Sequence, residues 1–270
     1  MTLRHGFTRT EAIVVSVVIV LVIAFLLIVR MQTDTVSNRV DCAKNLQQIG
    51  QALLLYSNEN KGAYPRVRRS MVGDNADPDP KPVFGTAPMA KDPFADDGPA
   101  PNDVTAALFL LARYEELVSQ RFVCPSSSNR PDNFDPTSAK QRSNFTDYRK
   151  NLSYSYANPY PSVTALSSGY KLNNSVSAEF AVAADKNPGT AGGSDVLSPK
   201  KDSPPGEIRK ANTKIHRGLA QNVLYGDGHV AFMPTPFCGV NQDNIYTTSD
   251  GKINASPADA NDNILLPADD

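Results

Sequence analysis

One uninterrupted apolar segment near the N-terminus limits what this chain can fold into. The run from Ala12 to Val29 is 18 residues long, carries no charge, and has Ser16 as its only polar side chain. An α-helix of this length measures about 27 Å, close to the hydrocarbon thickness of a bilayer. Because lipid offers the backbone no other hydrogen-bond partners, we predict a transmembrane helix over residues 7–30.

Basic residues set the expected orientation of this helix. Arg4 and Arg9 precede the apolar run, and His5 adds partial charge. The positive-inside rule then keeps the N-terminus in the cytoplasm and carries the chain after Arg30 across the bilayer. We therefore expect a single-pass protein in contact with lipid in the inner (cytoplasmic) membrane, with a periplasmic or extracellular head.

Three interpretations of the segment compete. An ordinary cleaved signal peptide needs a small-x-small site after a shorter apolar core, and residues 26–32 offer none. A plain uncleaved anchor is the second interpretation. The third depends on Glu11, because a carboxylate at the start of a spanning helix is costly unless a cation neutralises it.

The sequence GFTRTE, from Gly6 to Glu11, resembles the cleavage and methylation signal of type IV pilins and type II secretion pseudopilins. The resemblance implies that a prepilin peptidase removes residues 1–6 as a leader and that Phe7 is then methylated. It also implies that Glu11 is the assembly carboxylate, which pairs with the N-terminal amine of a neighbouring pilin-like subunit.

Two positions of this signal depart from the family pattern. Arg9 and Thr10 stand where the family has apolar residues. Arg9 can extend its long side chain to the cytoplasmic headgroups. Processing is therefore better supported by the sequence than packing within a filament.

A second apolar pattern follows the transmembrane run. It consists of Cys42, Leu46, Ile49, Leu53 and Tyr56. Their spacings of four and three residues place all five on one helix face. We predict a helical spine over residues 31–62 that packs this stripe against a globular head.

The rest of the chain predicts an α+β head over residues 63–235. A proline-rich surface loop is expected from Met71 to Pro101, and a second helix from Val104 to about Gln120, capped by Asn102 or Asp103. Strand patterns occur at residues 152–156 and 178–184. The residues on either side of Asp227 and Gly228 predict a β-hairpin.

This order of elements predicts a long N-terminal helix packed on an antiparallel sheet with large loops, as in pilins. Residues 236–270 are acidic and rich in Asn. We predict that they form a C-terminal acidic extension, strapped over the surface or partly disordered.

A second resemblance lies near the C-terminus. Ten residues separate His216 from Asp227-Gly228. This pattern resembles the H-x9-DG signature of a group of bacterial exported pilin-like proteins, with one extra residue in the spacing. The resemblance implies architecture and location, because the biochemical role of the group is largely unassigned. The supporting segments are residues 42–53, 122–126, 184–188 and 222–230.

Four side chains could carry metal or hydrolytic chemistry, namely Asp185, His216, Asp227 and His229. His and carboxylate groups suit several divalent ions, and His can act as a general base. A hairpin turn already explains Asp227 and Gly228, because Asp accepts backbone hydrogen bonds there and Gly supplies positive φ. We therefore predict a protein that is not an enzyme.

Calcium is a further candidate ligand. Related pseudopilins can hold calcium in a loop near the C-terminus, and carboxylates of that part of this chain are numerous enough for it. They are Asp243, Asp250, Asp259 and Asp262. The chain has no EF-hand loop pattern.

Three cysteines are present and none forms a C-x-x-C pair. In an oxidising compartment Cys124 and Cys238 could form a disulfide. The alternative is that these two and Cys42 are all buried thiols.

The charge balance argues against nucleic acid as a partner, since 27 Lys and Arg face 28 Asp and Glu. We predict a membrane-anchored structural or assembly subunit whose partners are the prepilin peptidase and other pilin-like subunits. The alternatives are an anchored surface domain that binds an extracellular ligand without polymerising, and an anchored metal-dependent hydrolase.

Overall fold

A computed structural model describes residues 8–189 and 199–269, without the side chains of residues 27–35. The predicted leader, including Gly6, and Phe7 therefore lie outside the described residues. The helices are α1 (Arg9–Glu59), α2 (Val104–Tyr114), α3 (Pro136–Ala139), α4 (Tyr148–Asn151), α5 (Val163–Ser167) and α6 (Pro205–Lys210), with 3-10 turns at Ser119–Phe122 and Val240–Gln242. The strands are β1 (Met71–Val72), β2 (Asn75–Ala76), β3 (Tyr154–Ala157), β4 (Ala181–Asp185), β5 (Gln221–Tyr225), β6 (Val230–Met233) and β7 (Leu265–Leu266).

The helix α1 is continuous over 51 residues, a length of about 77 Å. Its first part, Arg9–Leu26, is long and apolar enough to cross a membrane and buries none of its residues. The apolar side chains from Ile13 to Phe25 are 43–65% exposed. From Cys42 onward the predicted stripe is confirmed, because all five of its residues are buried.

An antiparallel sheet forms the head, in the strand order β6-β5-β4-β3-β7. The hairpin predicted around Asp227 and Gly228 is the β5–β6 connection, in which Leu224 pairs with Val230. Gly228 has a φ of +87°, which a residue without a Cβ adopts at little cost. The predicted α+β class is confirmed.

The second half of α1 lies directly on this sheet. A Cβ at Gly50 would stand 2.9 Å from Cδ1 of Leu224 on β5, so the glycine allows helix and strand to approach closely. The Asn45 side chain donates to the carbonyl of Val123 at 2.9 Å, and the Tyr154 hydroxyl donates to the carbonyl of Cys42 at 3.3 Å. Both apolar packing and buried hydrogen bonds therefore hold the spine.

The helix α2 begins where the sequence predicts but ends earlier. Asp103 is its N-cap, accepting from the Ala106 N–H, and the last helical residue is Tyr114 rather than Gln120. Glu116 adopts a φ of +53°, and the Leu117 N–H returns to the carbonyl of Leu111. This C-terminal geometry ends the α-helix before the 3-10 turn at Ser119–Phe122.

The last residues of the chain belong to the head rather than to a separate acidic extension. The strand β7 pairs with β3, where Tyr156 faces Leu266, and both of its residues are fully buried. Farther on, the Asp269 N–H donates to the carbonyl of Asn187, and its carboxylate lies 3.6 Å from Nζ of Lys186. The sequence did not indicate this strand, because its apolar segment is short and lies within an acidic region.

The disulfide joins Cys42 to Cys124, not Cys124 to Cys238 as considered from the sequence. Cys238 is a buried free thiol. Burial raises its pKa to about 12, so it is a poor nucleophile at neutral pH. The error arose because Cys42 also fits the apolar stripe of the spine.

Candidate functional site

Glu11 caps the first turn of α1 in the single chain. Its carboxylate accepts a hydrogen bond from the Thr8 N–H at 2.8 Å, and the Thr8 hydroxyl accepts one from the Glu11 N–H at 3.3 Å. This reciprocal pair is a capping box, which satisfies backbone N–H groups that the helix leaves unpaired. The carboxylate is exposed within the chain, so a second group can reach it.

Asp227 and His229 form an exposed pair at the β5–β6 turn. Their side chains are 47% and 52% exposed, with 2.5 Å between Asp227 Oδ1 and His229 Nδ1. The hydrogen bond from the His229 N–H to the same carboxylate lowers the pKa of Asp227. The His229 ring also stacks on Tyr225, with 4.6 Å between ring centroids. These contacts are those of a stabilised turn.

Asp185 and His216 instead meet inside the head. Asp185 ends β4 and His216 lies between α6 and β5, and Oδ2 of the first is 3.1 Å from Nε2 of the second. Their side chains are 0% and 4% exposed. The four residues that the sequence suggests therefore form two separate pairs. Within residues 8–189 and 199–269, the Asp185–His216 pair lies beside further side chains that can bind a metal.

Those neighbours are the two sulfurs of the disulfide. The ligating atoms of Cys42, Cys124, Asp185 and His216 all lie within 4.8 Å of one another, and all four residues are buried. Nε2 of His216 is 4.0 Å from Sγ of Cys124. We call this group the cysteine–histidine cluster.

Asn222 on β5 holds the polar half of the cluster in place. Its backbone N–H donates to Asp185 Oδ2 at 2.6 Å, and its side-chain amide lies 3.0 Å from the same oxygen. The amide nitrogen is also 3.2 Å from Nε2 of His216. The Tyr246 hydroxyl fixes the end of β4 by donating to the Asp185 carbonyl at 2.7 Å.

The sequence indicates two of the four residues of this cluster and does not indicate that the two cysteines lie beside them. Asp185 and His216 were candidates, whereas Cys42 was assigned to the apolar stripe and Asn222 to a strand. One signal was present, since both cysteines lie in the segments that carry the family resemblance. Spacing alone could not place β4 beside α1.

The four carboxylates considered for calcium line one cavity of about 610 Å³ on the C-terminal part of the head. Asp262 is 2% exposed, and its Oδ1 has no hydrogen-bond partner among the described residues. Burial raises the pKa of Asp262 to about 7 and that of Asp243 to about 6. Mutual repulsion among these acids adds to the shift at Asp262. Carboxylate oxygens such as those that line this cavity are ligands that calcium accepts.

The chain matches no protein-family model, and comparison with curated proteins and with solved structures found no match either. What can be said of its function therefore comes from its own residues.

Proposed function

We propose that this protein is a membrane-anchored, pilin-like structural or assembly subunit that a prepilin peptidase processes between Gly6 and Phe7. The N-terminus stays on the cytoplasmic side of the inner membrane, and the head is exported. Other pilin-like subunits are its assembly partners, and Glu11 supplies the carboxylate that joins them.

The single observation that carries this proposal is that the first part of α1 is exposed and apolar, whereas its second part is packed on the head. One unbroken helix leaves Arg9–Leu26 without any buried residue and then buries the stripe from Cys42 to Tyr56 in the head. An apolar helix of 18 residues that is not buried by any part of the chain that the structure describes requires lipid or other helices around it. Pilin-like subunits need that arrangement, because the same helix must first sit in a membrane and then pack in an assembly.

Glu11 supports the assembly role through the chemistry around it. Within one chain its carboxylate is satisfied by the Thr8 N–H. Cleavage after Gly6 would create an ammonium group one residue before Thr8, and a second subunit would present the same group. A carboxylate near apolar surroundings gains more from a cation than from a neutral amide.

Intact-mass measurement of the full chain extracted from membranes tests the processing. We expect the mass to correspond to loss of residues 1–6 and gain of one methyl group, on a chain beginning at Phe7. Material that still carries Met1, or a head recovered from the cytosol, would contradict the proposal. Substitution of Gly6 by a bulky residue should retain the leader, which shows that the peptidase made the cut.

Charge reversal tests the assembly. In Glu11→Lys, crosslinking between subunits in the membrane should be lost, while the head should still form its Cys42–Cys124 disulfide. Glu59→Lys is the matched control, because Glu59 is an exposed carboxylate at the other end of the same helix. Equal crosslinking in both variants would leave a singly anchored surface domain as the better description.

A specific observation favours a second proposal, that the acidic cavity binds calcium. Asp262 buries an oxygen without a partner among the described residues, and Asp243 lines the same cavity. A divalent cation would relieve the repulsion that these acids exert on one another. Isothermal titration of the full chain with calcium tests this, with Asp243→Asn/Asp262→Asn as the variant that should lose the binding.

A further inference from the structure

The cysteine–histidine cluster contains more ligating chemistry than a disulfide needs. Its four donors come from four different places in the chain, namely α1, the segment after the 3-10 turn at Ser119–Phe122, the end of β4 and the segment before β5. A disulfide gains nothing specific from a buried carboxylate and a buried imidazole beside it. The convergence of these groups calls for another explanation.

The carboxylate of Asp185 supplies one. Asp185 is fully buried, and its Oδ1 has no hydrogen-bond partner among the residues that the structure describes. A desolvated carboxylate oxygen without a partner is costly, and a metal ion bound by that group removes the cost. Its other oxygen is already positioned by Asn222.

The spacing of the donors is within a few tenths of an ångström of that around a small tetrahedral ion for two of the donor pairs. Zinc–ligand bonds of about 2.0–2.3 Å separate neighbouring ligands in a tetrahedron by about 3.3–3.8 Å. Nε2 of His216 stands 3.1 Å from Oδ2 of Asp185 and 4.0 Å from Sγ of Cys124. The two sulfurs are far too close for this arrangement, because they are bonded to each other.

The surroundings also match a metal centre. Ligating carboxylates and imidazoles are usually held by a second layer of hydrogen bonds and apolar contacts. Asn222 provides two such hydrogen bonds to the Asp185 carboxylate, from its backbone N–H and from its side-chain amide. The rings of Phe232 and His216 are nearly perpendicular with 5.6 Å between their centroids, and the guanidinium of Arg39 lies over the Phe232 ring at 4.5 Å from its centroid.

We propose that, when Cys42 and Cys124 are thiols, the cluster binds one zinc ion through both sulfurs, His216 Nε2 and a carboxylate oxygen of Asp185. Thiolate, imidazole and carboxylate are together a donor set that zinc accepts in four-coordinate sites. Binding forms two Zn–S bonds and releases the two thiol protons to solvent, while His216 stays neutral and Asp185 stays charged.

The disulfide and the zinc ion therefore exclude each other. Oxidation by the disulfide of another molecule transfers two electrons from the two thiolates to that disulfide, which takes up two protons and becomes a dithiol. The S–S bond between Cys42 and Cys124 then forms, and the zinc ion leaves. The oxidised, exported head would hold the disulfide, and the reduced chain would hold zinc.

Metal loading of the full chain in detergent tests the proposal. The chain is reduced with a phosphine, exposed to zinc chloride without oxygen, desalted and analysed for metal and for free thiols. We expect one zinc per reduced chain and none on the oxidised chain. Cobalt in place of zinc should give the visible bands of a tetrahedral ion together with sulfur-to-cobalt charge transfer.

Matched variants locate the ion. Asp185→Asn and His216→Gln should weaken zinc binding by at least about tenfold, whereas Cys238→Ala and Asp243→Asn/Asp262→Asn should not change it. The first two variants keep both cysteines, so formation of the Cys42–Cys124 disulfide on reoxidation shows that their heads fold. If they do not fold, the cobalt spectrum of the wild-type chain still decides.

Four results would overturn the proposal. The reduced chain could take up no zinc, the cobalt spectrum could lack sulfur charge transfer, or zinc could stay bound after the disulfide has formed. If Asp185→Asn and His216→Gln bind zinc as tightly as the wild type does, the ion lies elsewhere and the proposal is equally refuted. None of these results bears on processing at Gly6, which the mass measurement decides separately.

Discussion

Cys42, inside the long helix α1, is bonded to Cys124, which lies 82 positions farther along the chain. This crosslink ties the spine to the segment that follows the 3-10 turn at Ser119–Phe122. It encloses the whole proline-rich region and α2 within one covalent loop. Because such a loop lowers the entropy of the unfolded chain, it stabilises the head.

Thiol labelling of the oxidised protein checks this pairing. In denaturant without reductant we expect alkylation of one cysteine per chain, Cys238, and after reduction all three cysteines should react. Reduction should also lower the free energy of unfolding of the head by about 2–5 kcal/mol. Labelling of Cys42 in the oxidised chain would instead support the pairing of Cys124 with Cys238.

The elements with a strong local pattern could be predicted from the sequence. The stripe from Cys42 to Tyr56 and the turn at Asp227-Gly228 are set by residues close together in the chain, and the structure contains both. The strand β7 and the disulfide could not be predicted, because each depends on which distant segment lies alongside. Leu265 and Leu266 form too short an apolar segment to signal a strand within an acidic region.

The candidate site divides in the same way. Asp185 and His216 stand out by residue type, yet their proximity requires β4 and β5 to be neighbours in the sheet. Asp227 and His229 stand out equally and are only a turn. The difference between these pairs is burial, 0% and 4% against 47% and 52% exposed, and burial is a property of the fold.

Asp103 should be among the most sensitive polar positions of the head. Its fully buried carboxylate caps α2 and also accepts from the Thr86 hydroxyl at 2.6 Å and the Asn144 amide at 3.0 Å. Asp103→Ala removes the acceptor that these donors and the first turn of α2 share in the interior, so we expect a loss of about 3–5 kcal/mol in the free energy of denaturant unfolding.

Asp135→Ala is the matched control for this substitution. Asp135 is likewise the N-cap of a helix, α3, but its hydrogen bonds with Ser138 are at an exposed site. Water replaces a lost cap there, so the midpoint of unfolding should shift much less. If both variants lose the same free energy of unfolding, the loss of a helix cap explains the effect, and the burial of the hydrogen bonds of Asp103 does not.

The contact of α1 with β5 predicts intolerance of side chains at Gly50. A Cβ there would lie 2.9 Å from Cδ1 of Leu224, which is 1% exposed and has little room to move. Gly50→Leu should therefore destabilise the head by about 1–3 kcal/mol despite the better helix propensity of leucine.

Gly206→Leu provides the comparison for Gly50→Leu. Gly206 also lies in a helix, α6, and a Cβ there would contact nothing within 4 Å. We expect its free energy of unfolding to stay within about 0.5 kcal/mol of that of the wild type. A destabilisation of similar size at both glycines would contradict close packing of the spine on the sheet.

The acidic cavity predicts how stability depends on pH. The pKa values of Asp243 and Asp262 in the folded chain, about 6 and about 7, lie above the ordinary value of 3.8. The folded state therefore binds protons more tightly than the unfolded state, and the stability that these groups contribute is complete below about pH 4 and lost as the pH rises through about 7. Since each pKa unit is worth about 1.4 kcal/mol, the loss is at most about 7 kcal/mol.

Asp262→Asn should flatten this part of the stability profile and raise the melting temperature above pH 7, since asparagine can still accept from the Ala258 N–H. Asp202→Asn, at an exposed position, should leave the profile unchanged. Calcium should restore the lost stability of the wild type at alkaline pH, and chelation should remove it again, because the cation compensates the charge that protonation otherwise removes. If the melting temperature of the wild type rises between about pH 4 and 7 as much as that of Asp262→Asn, the cavity does not raise the pKa of these carboxylates.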